Sequence, residues 1–413
     1  MLEKGCLPKR QIKQGVDMNN YIILRDLSAV ETAEPFGIRA GRMRAGVAAP
    51  MQPQLSVEQL DKQTVKDVVR DPSVLAITPK MPIKLIHPTE TSIPSRATEC
   101  WGVDAVGAKN CPFNGEGVTI AVLDTGVDAA HRAFQGVTFV QKDFSGSGDG
   151  DRQGHGTHCM GTIIGRDVEG IRIGIAPGVQ RALIGKVLDD TGSGTSEMIF
   201  QGIQWAVSQG ADVISMSLGF DFTGMVDSLI SQGWPNALAT SAGLEAYRGN
   251  LRMFDALMNV VQSQAAFTQG CIIVAAAGNE SKRDVRSDFE IAASLPAAAQ
   301  GVISVGALQQ GQNGLQIASF SNTFPQVAAP GVAILSAKAG GGLRALSGTS
   351  MACPHVAGIA ALWWDALRKS ALNPTATAVQ AKLLASSRTN AFAPNTDFAD
   401  RGLGIVTAPT EIS

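Results

Sequence analysis

The sequence has no charge excess of either sign. Its 413 residues carry 34 Lys and Arg against 36 Asp and Glu, a net charge of −2, which offers no bulk attraction to nucleic acid or to an anionic membrane surface. Long apolar runs are missing too. No stretch has the uninterrupted length of a membrane span, and the first twenty residues, charged at Glu3, Lys4, Lys9, Arg10, Lys13 and Asp17, hold no signal-peptide core. These absences predict no nucleic-acid partner, no membrane partner and a cytoplasmic location, with secretion the alternative if a signal preceded the chain and was removed. Cysteine is scarce. Cys6, Cys100, Cys111, Cys159, Cys271 and Cys353 form no C-x-x-C pair and are too scattered for a disulfide scaffold, so reduced thiols are expected, with Cys100 and Cys111 the one pair to test for a bridge. There is no H-E-x-x-H metal signature, no G-x-S-x-G elbow, no internal repeat and no low-complexity tract.

What is present suits a globular α/β chain. Hydrophobic residues make up 45% and charged ones 17%, enough for one large domain and a smaller one. After an extension at 1–19, residues 20–88 read as a small α+β unit. Tyr21 to Leu24 is a strand, and Ser56-Val57-Glu58-Gln59 has the form of a capping box opening a helix that runs to about Arg70. Val74 to Ile77 and Ile83 to Ile86 are extended, and 37–53 is a loop. A Pro-, Thr- and Ser-rich linker over 89–100 offers a site for proteolytic processing. The main domain, 101–413, carries extra length around 220–268.

In that domain, strands alternate with helices. Val118 to Leu123, Asp212 to Leu218, Ile272 to Ala276 and Val302 to Val305 are apolar nearly throughout, the mark of strands buried on both faces in a mostly parallel central sheet flanked by helices. Helices fit at 156–164, at 197–208 and after Ser350. Ligands in such sheets sit beyond the carboxyl ends of the strands. Asp124, Ser217-Leu218-Gly219 and Gly278-Asn279 fall at such ends.

Taken singly, each polar candidate has a structural explanation. Asp124 suits a turn, and Ser350, in Gly348-Thr349-Ser350 before a long apolar helix, suits a helix cap. Pro354 is tolerated if it falls in that helix's first turn. His155, His158 and His355 offer a metal-binding alternative without supporting carboxylates. Taken together, Asp124, His155 and Ser350 supply an orienting acid, a base and a nucleophile for acyl transfer. Asn279 and the Ser350 N–H supply oxyanion donors. The order Asp, His, Ser along the chain is that of subtilisin.

Four segments, Ala121-Val122-Leu123-Asp124-Thr125-Gly126-Val127-Asp128, Gly154-His155-Gly156-Thr157-His158-Cys159, Ala275-Ala276-Ala277-Gly278-Asn279 and Ser347-Gly348-Thr349-Ser350-Met351-Ala352-Cys353-Pro354-His355, closely resemble the signature blocks of subtilisin-like serine proteases. The resemblance implies a serine endopeptidase with Asp124, His155 and Ser350 as the triad and Asn279 in the oxyanion hole. Cys159 resembles the free cysteine of proteinase-K-like members. The unit at 20–88 is similar to the family's inhibitory pro-domain, implying a self-processing precursor whose partners are its own pro-domain and a peptide or protein substrate. Substrate would pair as a β-strand with Ser217, Leu218 and Gly219. Small residues near Ala276, Gly278 and Ser294 predict a first pocket open to apolar or aromatic side chains. Such a catalytic apparatus requires no cofactor.

Two departures stand out. Where many members have His-Pro-Asp, with the Asp binding calcium, this chain has His131-Arg132-Ala133, and Arg166-Asp167-Val168 adds little oxygen chemistry; the strong calcium site is predicted to be absent. The extra length carries Leu244, Tyr247, Leu251, Phe254, Met258 and Val261 at helical spacing, an added helix whose apolar face joins the core, walls the cleft or forms a dimer surface.

Overall fold

A computed structural model describes residues 19–28, 51–91, 100–265, 267–370 and 374–411. The extension at 1–18, the loop expected over 37–50 and most of the linker (92–99) lie outside the described residues.

The small unit begins with β1 (Asn19–Asp26), flanked by antiparallel β2 (Pro53–Leu60) and β3 (Val74–Pro79), with helix α1 (Lys62–Val68) between the outer two. The capping-box expectation fails here. Ser56 and Glu58 lie in β2, both bonded to Arg25 of β1 at 2.8 and 2.9 Å, so pairing across 31 and 33 residues overrides the local signal. The helix starts later, where the Asp61 carboxylate accepts from the Gln63 and Thr64 N–H groups.

Next come β4 (Pro82–Leu85), β5 (Thr89–Thr91) and α2 (Trp101–Ala105). The main domain then runs through β6 (Thr119–Asp124), β7 (Thr138–Asp143), α3 (His155–Ile164), β8 (Arg181–Lys186), β9 (Ser193–Thr195), α4 (Ser196–Ser208), β10 (Val213–Met216) and β11 (Leu218–Phe220). The extra length folds as two helices, α5 (Phe222–Ser231) and α6 (Asn236–Gln264), rather than one. The break is Gly233-Trp234-Pro235, where glycine is left-handed (φ 91°) and proline precedes the new helix. The chain closes with β12 (Ile272–Ala276), β13 (Val302–Gly311), β14 (Gly314–Ile317), β15 (Val327–Pro330), β16 (Ile334–Ala337), β17 (Leu343–Ser347), α7 (Thr349–Arg368), α8 (Ala376–Ala385) and α9 (Phe398–Arg401).

The central sheet has the order β14-β13-β12-β10-β6-β8-β7, with β15 on β13. Every pairing is parallel except β13 with β14. Burial of every residue in β10 and β12 matches their apolar sequences. One apolar cluster packs α3 and α7 on one face, and a second packs α4 and α6 on the other. No described helix is long and apolar enough to cross a membrane.

The insert face divides along its length. Phe254, Met258 and Val261 are buried, with Phe254 against Phe200 at 4.8 Å between ring centroids, whereas Leu244 is exposed. Midway, Asn250 Nδ2 donates to Pro79 O at 3.1 Å, which docks β3 of the small unit onto α6.

Candidate active site

Asp124 ends β6 with its carboxylate buried, held by the Thr125 N–H at 2.8 Å. His155 opens α3. Its Nδ1 lies 2.8 and 3.0 Å from the two Asp124 oxygens. A carboxylate only accepts, so Nδ1 carries the proton and Nε2 presents its lone pair. Gly156 makes this approach feasible: a Cβ there would meet the Gly126 carbonyl at 2.1 Å and the Asp124 Cβ at 3.3 Å.

Ser350 is the second residue of α7. Pro354 falls beyond the first turn, contrary to the condition set by its sequence. The carbonyl it leaves without a helical donor is that of Ser350, four residues back. The Ser217 hydroxyl (3.1 Å) and the Cys159 thiol (3.4 Å) donate to that oxygen instead. Ser217 and Cys159 therefore fasten the helix start, and Cys159 Sγ also lies 3.8 Å from His155 Nδ1. Burial raises the Cys159 thiol well above its ordinary range, with Asp124 adding to the effect, which keeps it protonated as a donor.

Asn279 lies beyond β12. Its Oδ1 accepts from the Thr349 N–H (2.9 Å) and hydroxyl (2.8 Å), which turns Nδ2 towards the cleft. Ala276 ends β12 as a buried residue, and Gly278 has φ 116°, with its N–H bonded to the Thr349 hydroxyl at 3.2 Å.

The cleft is filled by the chain's own residues. Strand β4 lies between β11 and β9, antiparallel to both, with Leu218 opposite Leu85 and Gly219 opposite Lys84. The Leu85 N–H adds a bond to Gly192 O at 2.8 Å. Downstream, β5 pairs antiparallel with β17, Thr89 opposite Ser347. Between them the chain crosses the site. Ser350 Oγ donates to Ile86 O at 3.1 Å, with Ser217 O farther off at 3.5 Å, and Asn279 Nδ2 donates to His87 O at 3.2 Å. Ile86 is buried; a Cβ on Gly219 would lie 3.4 Å from its Cγ1 and 3.8 Å from Ser294 Oγ. Of the residues expected at the first pocket, Ser294 thus lies beside Gly219, on which Ile86 packs. Part of the presumed linker, Thr89 to Thr91, is a paired strand.

The metal alternative is not supported by the geometry. His158 Nε2 donates to Ile334 O (3.1 Å) and Arg344 O (3.2 Å), and His355 Nδ1 donates to Met351 O (2.8 Å). Burial pushes His158 down to about 3, with Arg344 and His155 adding to it, and burial pushes His355 down to about 4. The metal-type cluster found among the described residues is Asp124, His155 and Cys159. Calcium fits poorly in the segment around Arg166-Asp167-Val168, whose sequence holds little oxygen chemistry. Arg166 donates to the carbonyls of Ile164 (2.9 Å) and Val179 (2.8 Å), and Arg172 donates to Gly174 and Ile175 at 3.2 Å each. Two guanidinium groups there put positive charge in a segment where a dication would need oxygen ligands. Cys100 and Cys111 are free thiols.

Two positioning residues escaped the sequence reading. Asp151 accepts from Thr125 Oγ1, Gly154 N, Thr157 N and Thr157 Oγ1 at 2.6 to 2.9 Å, tying the Asp124 turn to the start of α3. An acidic residue four before a helix-opening His was its signal. Asn322 accepts from Glu280 and Ser281 N–H groups and donates to Ala277 O, bracing the turn after Asn279. Nothing local marks it.

Residues 115–404 match the subtilase family. The chain is a subtilase. It is 34% identical to subtilisin E of Bacillus subtilis over 330 residues, 77% of this chain and 74% of that one, and 33% identical to subtilisin J of Geobacillus stearothermophilus over the same shares. Subtilisin-like protease 1 of Trichophyton tonsurans is 33% identical over 320 residues, 73% of this chain and 52% of its own length. This subtilase is a subtilisin-like serine endopeptidase, and the family's catalysis needs no cofactor.

Proposed function

We propose that this endopeptidase cleaves peptide bonds through Ser350, His155 and Asp124, and that it is made as a precursor inhibited by its own residues 82–91. His155 Nε2 takes the Ser350 proton as Oγ bonds to the carbonyl carbon. The Asn279 amide and the Ser350 N–H hold the oxyanion. The tetrahedral adduct then expels the amine, which receives the proton from His155, and water releases the acyl group by the reverse sequence. Asp124 keeps the proton on Nδ1 throughout.

The observation that carries the reading is the Ile86 carbonyl 3.1 Å from Ser350 Oγ, directly after a strand paired to both walls of the cleft. That is how a substrate is held by strand addition, its backbone bonded and its side chains in pockets. The bond nearest the nucleophile is Ile86–His87, just upstream of the linker over 89–100. Asn279 engages the next carbonyl, His87. The strand therefore rests in an inhibited pose, and without a change of register the Ile86 carbonyl must replace that of His87 at the Asn279 amide before the bond is cut. The apolar Ile86 against Gly219 supports apolar residues at the cleavage point. The test is to express the chain beside its Ser350→Ala form and determine the N-terminus of each product, with fluorophosphonate labelling in parallel. Cutting and labelling only with Ser350 present support the proposal; equal cutting in both forms refutes it.

A further inference from the structure

Lys84 stands two residues before Ile86 on β4, opposite Gly219 and Ser193, neither of which carries charge. Its ammonium reaches past them to Asp221, with Nζ 2.7 Å from Oδ1. Asp221 directly follows β11 and begins the insert, where the same carboxylate caps α5 through the Gly224 N–H at 3.1 Å. The Asp221 N–H donates to Pro82 O at 3.0 Å, so backbone and side chain both meet β4. Burial raises the Asp221 carboxyl, but Lys84 and the Gly224 N–H outweigh it and hold the group below its ordinary range. The cap fixes the carboxylate before any strand arrives, so a cation docks on a preorganised charge.

We infer that Asp221 is a specificity-determining residue that selects lysine or arginine two positions before the residue whose carbonyl meets Ser350. This rests on the reading of β4 as occupying the substrate's place. The substrate class is then proteins with a cation, any residue and an apolar residue in succession, cut after the apolar one.

The test uses the full chain, as expressed and allowed to process itself, and three acetylated peptides, Xaa-Leu-Ile joined to a fluorogenic amine, with Xaa as Lys, Gln or Glu. Because Lys84 is 41% and Asp221 23% exposed, the expected preference in kcat/KM is modest, about three- to five-fold for Lys over Gln, with Glu lowest. It shrinks as salt is raised. Asp221→Asn and Asp221→Ser retain capping side chains and bring the Lys-to-Gln ratio to one; damage to the fold alone would lower all three peptides together. Equal cleavage of Lys and Gln peptides by the wild type overturns this inference and leaves the protease reading standing. Cleavage of none, with no fluorophosphonate labelling of Ser350, overturns both.

Discussion

Replacing Asp124 by Asn tests the assigned roles at one atom. Both Asp124 oxygens lie within 3.0 Å of His155 Nδ1, and Oδ1 also accepts the Thr125 N–H. An asparagine has one accepting oxygen. If it keeps the Thr125 bond, its amide N–H faces Nδ1, which must then surrender its proton and accept. The proton moves to Nε2, the atom that has to receive it from Ser350. Burial leaves no water to relieve the conflict, since Asp124 and His155 are each 1% exposed. The expected loss is about 10⁴ in kcat, or about 5.5 kcal/mol of barrier. KM should stay within about three-fold, because the Asp–His pair acts on the transition state and not on the bound strand. Steady-state kinetics on an apolar-ending peptide amide, with circular dichroism to confirm the fold, give the answer. A loss under about ten-fold in kcat would refute the tautomer argument.

Two further outcomes follow from the same contacts. His158 and His355 stay neutral in the folded protein to about 3 and about 4, below the ordinary value near 6.5. The unfolded chain therefore binds two protons the folded one does not as pH falls through 6.5, and folded stability declines. Between pH 7 and 5 the two cost about 4 kcal/mol together, measurable by guanidinium unfolding of the Ser350→Ala form; equal stability at pH 7 and 5 would contradict it. Chelator should move Tm by no more than about 2 °C, since Arg166 and Arg172 put two guanidinium groups in a segment that already lacks oxygen ligands in its sequence; a fall of about 10 °C would show a strong site.

Much of the site was legible because its residues sit at the ends of elements with strong local patterns. Asp124 closes a nearly wholly apolar strand, and Ser350 opens an apolar helix. Each motif is contiguous, so one-dimensional order preserved the chemistry. What stayed hidden depends on distant partners. The strand β2 looked like a helix start because Ser56 and Glu58 fit a cap, and only Arg25 across the sheet made them strand residues. Residues 82–91 looked like the end of one unit and a linker. Their partners are β9, β11 and β17, more than a hundred residues away, and no local pattern announces such pairing. Pro354 looked tolerable only in a first turn because the donors that relieve it, Ser217 and Cys159, lie on other elements. The insert's second helix is legible in Gly233-Trp234-Pro235, a turn signal that the longer apolar face outweighs.

The most direct measurement is the N-terminal sequence of the chain expressed with and without Ser350. The expected result is a wild-type product beginning at His87, labelled by fluorophosphonate, and an uncut Ser350→Ala chain that takes no label. A Ser350→Ala chain cut at the same bond, or a wild-type chain that stays intact and unlabelled, would contradict it.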